Sequence, residues 1–311
     1  MLKSTPLVLF LTLTLAAGSL SGAPLRVLYF SKSSGFEHSV VKRVDGQPSF
    51  SEKLLAGLAV KHDLVFTFSK DGSLITPDYL AQFDVIMFFT SGYLGRVGVD
   101  GQLAITAEGK QALLDAIAGG KGFVGLHSAS DTYHTFEVGL SDPTPERRGD
   151  RFRSHGAEVD AYVRMLGGEF IRHGKQQSGR VRVVDPQFPG CGTLGDSFTC
   201  LEEWYSLKDF TADLHALLVL ETSGMTGAEY ERPDFPLAWA KLHGKGRVWF
   251  NAMGHREDVW ESERFQAMLI GGIEWAGRRR EADITPNLRI VAAGFETMPP
   301  KVSRLVPAVG K

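Results

Sequence analysis

Gly122-Phe123-Val124-Gly125-Leu126-His127-Ser128-Ala129-Ser130-Asp131 is an apolar run that breaks off into a histidine, small residues and an aspartate. A buried strand delivers polar groups to the carboxyl edge of a sheet in this way, and open α/β sheets bind ligands at that edge. Gly125 and Ala129 permit tight backbone around His127, and Asp131 is placed to orient or charge-pair an imidazole. His38, His173, His243 and His255 stand at comparable places, each after a strand-like run or at a turn. The residue types point to imidazole and carboxylate chemistry.

Working outward, strand and helix alternate through the first half. Leu25–Phe30 and Leu64–Phe68 read as strands, and Asp84–Thr90, apolar almost throughout, reads as a strand buried on both faces. Ser51–His62 has helical spacing, with Leu54, Leu55, Leu58 and Ala59 on one face. Thr106 is a good N-cap for a helix to Ala118 that turns Leu113, Leu114 and Ile117 inward and stops at Gly119-Gly120. That alternation predicts a doubly wound, mostly parallel sheet with helices on both faces.

The second half is less regular. Asp142–Arg153 reads as a charged surface loop, Ala157–Leu166 as a helix, and Gly179–Asp185 as a half-exposed strand. Leu217–Glu221, Leu237–Leu242 and Gly246–Met253 are further strands, with Trp239 and Trp249 expected in the core. Trp260 to Ala276 marks one face of a closing helix, and beyond Ile284 prolines and weak periodicity predict a loosely docked tail.

The amino terminus reads as a processing signal. Lys3 precedes the apolar run Pro6–Leu20, and Ser21-Gly22-Ala23 offers small residues for cleavage. The expected layout is a signal peptide over residues 1–23, an α/β domain over 24–283 and a tail over 284–311. The protein is then exported, periplasmic or secreted, without stable membrane insertion after cleavage. A net charge of −2 and the lack of a basic cluster argue against nucleic acid as partner. Arg278-Arg279-Arg280 suits a solvated helix C-terminus. Cys191 and Cys200 flank a short loop rich in Gly, Thr and Asp. A disulfide and a pair of free buried thiols both fit that setting, and export favours the bond.

Several motifs in order resemble the ThuA-like family of trehalose-utilization proteins. They are Val27–Phe30 with Gly35, Phe36 and His38; Gly125–Asp131; Leu166-Gly167-Gly168-Glu169-Phe170 with His173; Glu202-Glu203-Trp204-Tyr205; Pro236–Trp239; and Gly244–Val248 running to Gly254-His255, with Trp275. The resemblance implies a fold like that of class I glutamine amidotransferases, and it spans nearly all of the chain after the apolar leader. It also implies that His127 stands where an amidotransferase holds its cysteine nucleophile. A histidine there forms no thioester, so glutaminase activity is excluded. The family is associated with sugar utilization, especially of oxidised disaccharides. Two stretches depart from its pattern: Thr132-Tyr133-His134 with the charged run after it, and Leu201–Tyr205 where Asp-Glu-x-Tyr is usual.

The reading that follows is an exported protein acting on a sugar or keto-sugar by acid–base chemistry. His127 and His255 are the expected acid/base groups, with Asp131 and Glu203 orienting or charging them. His38, His173, Tyr205 and Gly35 are the expected substrate-binding residues. Replacing His127 is expected to remove activity and leave the fold intact. His134, His155 and His243 carry less of the signal, and His62 and His215 read as surface residues. The expected partner is a small-molecule carbohydrate. No cofactor is predicted. The histidines and carboxylates have the chemistry to hold a divalent metal, although no HxH or HExxH spacing points to one. The alternative is a non-catalytic carbohydrate-binding or accessory protein with the same cleft.

Overall fold

The structure, a computed structural model, describes residues 23–135 and 151–301; the apolar leader and residues 142–150 of the expected surface loop lie outside the described residues. The first half runs β1 (Leu25–Phe30), α1 (Phe50–His62), β2 (Leu64–Ser69), α2 (Pro77–Ala81), β3 (Val85–Phe88), α3 (Ala107–Ala118) and β4 (Gly122–Leu126). The second runs α4 (Ala161–Leu166), β5 (Glu169–His173), β6 (Gln177–Val183), β7 (Ser197–Glu202), β8 (Tyr205–Lys208), β9 (His215–Glu221), β10 (Phe235–His243) and β11 (Gly246–Asn251). It closes with α5 (Glu257–Glu261), α6 (Glu263–Ala276) and α7 (Leu288–Val291).

Nine strands form one sheet in the order β2-β1-β3-β4-β11-β10-β9-β6-β7. The first five are mutually parallel. The remaining four continue the sheet by antiparallel pairing. β5 and β8 make a separate antiparallel pair. β3 and β4 are buried at every position, as their unbroken apolar runs require for strands covered on both faces. Because β1, β4 and β11 are parallel, the loops that follow them all emerge at one edge. That shared edge positions the site.

Local signals set the helix starts. Ser49 and Glu52 form a reciprocal capping box at α1, and the Thr106 side chain accepts from the Gly109 N–H at α3. α4 is shorter than its sequence pattern: Asp160 caps it by accepting from the Tyr162 N–H, so it begins at Ala161. The expected closing helix is broken in two by Ser262, whose N–H closes α5 on the Val259 carbonyl while its hydroxyl caps α6.

Three expectations are corrected. Cys191 and Cys200 are free thiols. The β6–β7 ladder fixes Cys200 opposite Gly179, whereas Cys191 lies in a separate turn, its N–H bonded to the Phe188 carbonyl. Burial pushes both thiols up to about 12. His215 is buried, not on the surface, and bonds both the Thr285 carbonyl and Asp185. The segment after Ile284 is held firmly through residue 295. The Asn287 amide pairs with both backbone groups of Ala216, Leu288 and Phe295 are buried, and Arg232 donates to the Phe295 carbonyl. Trp239 and Trp249 lie in the core as expected. No helix among the described residues is long and apolar enough to cross a membrane.

Candidate functional site

β4 ends at Leu126, and the chain turns at once into a 3-10 segment, His127–Asp131. His127 makes the corner with φ +41°, a left-handed conformation that costs a residue with a Cβ about 1–3 kcal/mol. The Ser130 hydroxyl ties the turn back by donating to the His127 carbonyl. Gly125 is needed just before the corner: a Cβ there would stand 2.8 Å from Leu166 and 3.0 Å from Phe250. This is the strained strand-to-helix elbow on which related α/β enzymes present a nucleophile, and here it presents an imidazole.

The His127 ring is fully buried, and its Nδ1 lies 2.8 Å from the Ala252 carbonyl. A carbonyl can only accept, so Nδ1 carries the proton and Nε2 offers a lone pair. Two more imidazoles meet it. His38, from the loop after β1, and His255, from the loop after β11, have ring centres 5.0 Å and 5.4 Å from that of His127, and 5.1 Å from each other. Glu203, at the corner between β7 and β8, completes the group. Its Oε2 is 3.0 Å from His255 Nδ1 and 3.9 Å from His127 Nε2, and its Oε1 is 3.2 Å from His173 Nδ1. The His255–Glu203 contact has ion-pair distance without hydrogen-bond alignment. One ligating atom from each of His38, His127, Glu203 and His255 can be chosen so that all four lie within 4.8 Å of one another.

The environment separates these imidazoles in proton affinity. Burial, reinforced by His38 and His255, drives His127 well below its ordinary value. Burial and the neighbouring His255 bring His38 down to about 4. Burial also opposes the charge on His255, but the Glu203 carboxylate outweighs it and the value is raised. Neutral imidazoles thus stand beside one that favours its proton, as acid–base pairs require.

Glu202 anchors the site from behind. Its side chain is buried and accepts from the Glu203 and Gly254 N–H groups, both at 2.8 Å, joining the β7–β8 corner to the loop that carries His255. Gly254 has φ +116°, and its carbonyl accepts from the Trp260 indole. Burial raises Glu202 to about 7.

The remaining expected residues fall around this centre. Tyr205 packs its ring 3.9 Å from that of His127, and its hydroxyl lies 3.4 Å from His38 Nε2. His173, at the end of β5, is half-exposed and donates to the Gly174 carbonyl. Gly35 does not join the imidazoles; its N–H bonds the Ser91 carbonyl and it packs on Gly92, fixing the outer loop. Asp131 is not the partner of His127. It binds His134 Nε2 at 2.5 Å, while His134 Nδ1 binds Glu169 at 2.8 Å. Burial opposes the charge on His134, but the two carboxylates outweigh it and raise it to about 9. His243 stands at the opposite edge of the sheet, paired with Gly246 at the start of β11.

His134, Glu169 and Glu202 were not legible as site residues. Glu169 lies 35 positions from its imidazole partner and Glu202 lies 52 from Gly254, so no local spacing ties them together. The Leu166–Phe170 and Glu202–Tyr205 motifs were the available signals.

A polar depression of about 430 Å³ opens beside the cluster, lined by Ser39, Gln176, His255, Arg256, Glu257, Asp258 and Glu261. A larger one, about 730 Å³, lies at the amino ends of the strands around Arg26, Asp84 and Lys121. It contains none of the imidazoles, whereas the smaller depression is lined by His255.

An α/β protein built on a nine-stranded sheet, with a histidine at its elbow, is amidotransferase-like in architecture. The profile of the ThuA family, described as trehalose utilisation, matches residues 26–143 and 151–276, and the chain belongs to that family. A ThuA-like protein from Bacteroides uniformis superposes with a TM-score of 0.60 at 19% identity, covering 87% of this chain and 98% of its own. One from Parabacteroides merdae gives 0.54 at 14% identity, covering 89% and 96%. These likenesses establish the fold. No curated protein matches the sequence.

Proposed function

We propose that this protein acts on a sugar or keto-sugar derivative by proton transfer next to a carbonyl, as an exported member of a carbohydrate-utilisation system, without glutaminase activity. One observation carries the reading. The elbow places His127 in a cluster with His38, His255 and Glu203 in which neighbouring imidazoles are pushed in opposite directions. Such a pair suits isomerisation or elimination on a keto-sugar and needs no covalent nucleophile. The imidazole at the elbow speaks against the thioester route of amidotransferases.

The surroundings support a carbohydrate. The depression beside His255 is lined by amide, hydroxyl, guanidinium and carboxylate groups suited to sugar hydroxyls. Phe36, 67% exposed, sets its ring 5.0 Å from that of His38 and offers an apolar face for a sugar ring. The family's description, trehalose utilisation, points the same way. Residues 1–23 support export, and a mature start near Pro24 in the extracytoplasmic fraction is the expected result of N-terminal sequencing.

A pH–rate profile on oxidised disaccharides tests the proposal. Activity should fall on the acid side as His38 and His127 take up protons, near pH 4 for His38. On the alkaline side it should fall above His255's ordinary value of about 6.5, because that group is raised. Saturable sugar binding with no turnover at any pH would make the protein a carbohydrate-binding accessory instead.

A further inference from the structure

We propose that His38, His127 and His255 bind one divalent transition-metal ion of the zinc class, with Glu203 as the carboxylate ligand. The inference concerns the site read above as sugar-directed, and its role in sugar chemistry rests on that reading; the binding itself does not. Four ligating atoms from four distant stretches of chain come within 4.8 Å of one another. A tetrahedral site with bonds of about 2.0–2.1 Å has edges of about 3.3 Å, so modest inward movement of side chains closes the set.

The second observation is the state of His127. Its Nε2 is buried and has no hydrogen-bond partner among the described residues, a costly condition for a polar atom. It faces the same point as Glu203 Oε2, 3.9 Å away. Its other nitrogen donates to the Ala252 carbonyl, which fixes the tautomer that presents a lone pair to a cation. Backbone carbonyls play that outer-shell part at metal-binding histidines. His255 Nδ1 is likewise buried, close to Glu203 and without an aligned bond. Three imidazoles and one carboxylate suit a borderline ion such as zinc better than calcium or magnesium, which prefer all-oxygen shells.

The second carboxylate–imidazole group of the molecule makes the contrast. His155, Glu169 and Asp209 also lie close together, but the Lys208 ammonium sits 3.0 Å from Asp209, 3.5 Å from Glu169 and 3.0 Å from His155 Nδ1. There a cation is already built into the chain. At the elbow cluster no lysine or arginine among the described residues makes such a contact with the four groups, and they face one another, the Tyr205 phenol and the rings of Phe36 and Phe89. A bound divalent ion would engage the imidazole lone pairs, so that His38, His127 and His255 would serve as ligands rather than as acid–base groups, and the ion would itself supply polarisation of a sugar carbonyl beside the depression.

The test uses the full chain, stripped with chelator and dialysed. Titration calorimetry with Zn²⁺, and visible spectroscopy with Co²⁺, should report one ion per chain and the absorption of cobalt in a low-coordinate, nitrogen-rich site. His127→Ala should weaken binding by at least about 100-fold, more than is lost on removing an outer-shell partner. His127 is buried, so His255→Gln, at a partly exposed position and checked by circular dichroism, carries the same expectation. His243→Ala, at the far edge of the sheet, should bind like the unaltered protein. Absence of saturable binding, or full stoichiometry retained in both His127→Ala and His255→Gln, overturns the proposal. Sugar turnover that survives chelation, together with failed metal binding, removes the metal and leaves the proposed function standing. One ion bound through these residues, with no sugar turnover, supports the metal site and removes the proposed function.

Discussion

His127 accounts for more of the site than any other residue, and it is also part of the core. Its ring fills the space beside Tyr205 and satisfies the Ala252 carbonyl. The sequence suggested that its replacement would leave the fold untouched; a side chain with no exposure cannot be removed so freely. His127→Ala should cost about 1–3 kcal/mol through the orphaned carbonyl alone, read as a fall in the urea midpoint. His134 makes the converse case, a residue with little sequence signal that carries a large electrostatic load. Its folded value is raised, so the stabilisation is complete below about 6.5 and is lost as pH rises through about 9. His134→Ala strands two carboxylates and should cost about 3 kcal/mol or more at pH 6. Unfolding curves of the variant and the parent should converge as pH passes 9. A gap that stays constant from pH 6 to 10 would show that the imidazolium is not the source.

At the scale of the element, legibility followed burial. β1, β3, β4 and β11 were readable because each is a largely apolar run between turn signals, interrupted by Arg26 in β1 and Arg247 in β11, and the three imidazoles after β1, β4 and β11 were readable for the same reason. β7 and β8 were not, and β5 was legible only as the strand-like run that ends at His173. β8 is four residues that bury a serine and a lysine, with the Lys208 ammonium met by the distant Arg153 carbonyl, His155 and Glu169, so its polarity hides its burial. β7 alternates only weakly and is recognisable by its ladder to β6. As a result Glu203 and Tyr205 were expected at the site without a strand to place them; Tyr205 opens a strand whose register sets it opposite His173. The elbow depends on close packing at Gly125. Gly125→Val drives side-chain atoms into Leu166 and Phe250, and overpacking of this kind costs about 1–3 kcal/mol. Thermal unfolding should fall by roughly 2–4 °C per kcal/mol for a domain of this size. An unchanged midpoint would show that the corner has slack the packing does not suggest.

Across the whole molecule, the parallel half-sheet acts as an alignment device. Three strands that run the same way bring His38, His127 and His255, separated by more than two hundred residues of chain, to one edge, and the β7–β8 corner adds Glu203 from the antiparallel half. The sequence made the parallel half and its edge legible; the meeting with Glu203 depends on pairings between distant strands. The free cysteines belong to this scale too. Thiol titration of the unreduced, denatured protein should find two thiols, and reductant should leave the melting temperature unchanged. Finding none would mean that β7 and the turn at Cys191 come together in a way the structure does not have. The central claim, that the imidazole cluster moves protons on an oxidised sugar, is tested most directly by exchange. Oxidised disaccharides incubated with the protein in D₂O should gain deuterium at the carbon beside the carbonyl, followed by NMR, and His255→Gln should slow that gain by roughly 10²–10⁴-fold. Oxidised disaccharides that bind yet gain no deuterium, or gain it equally fast with His255→Gln, would contradict the account.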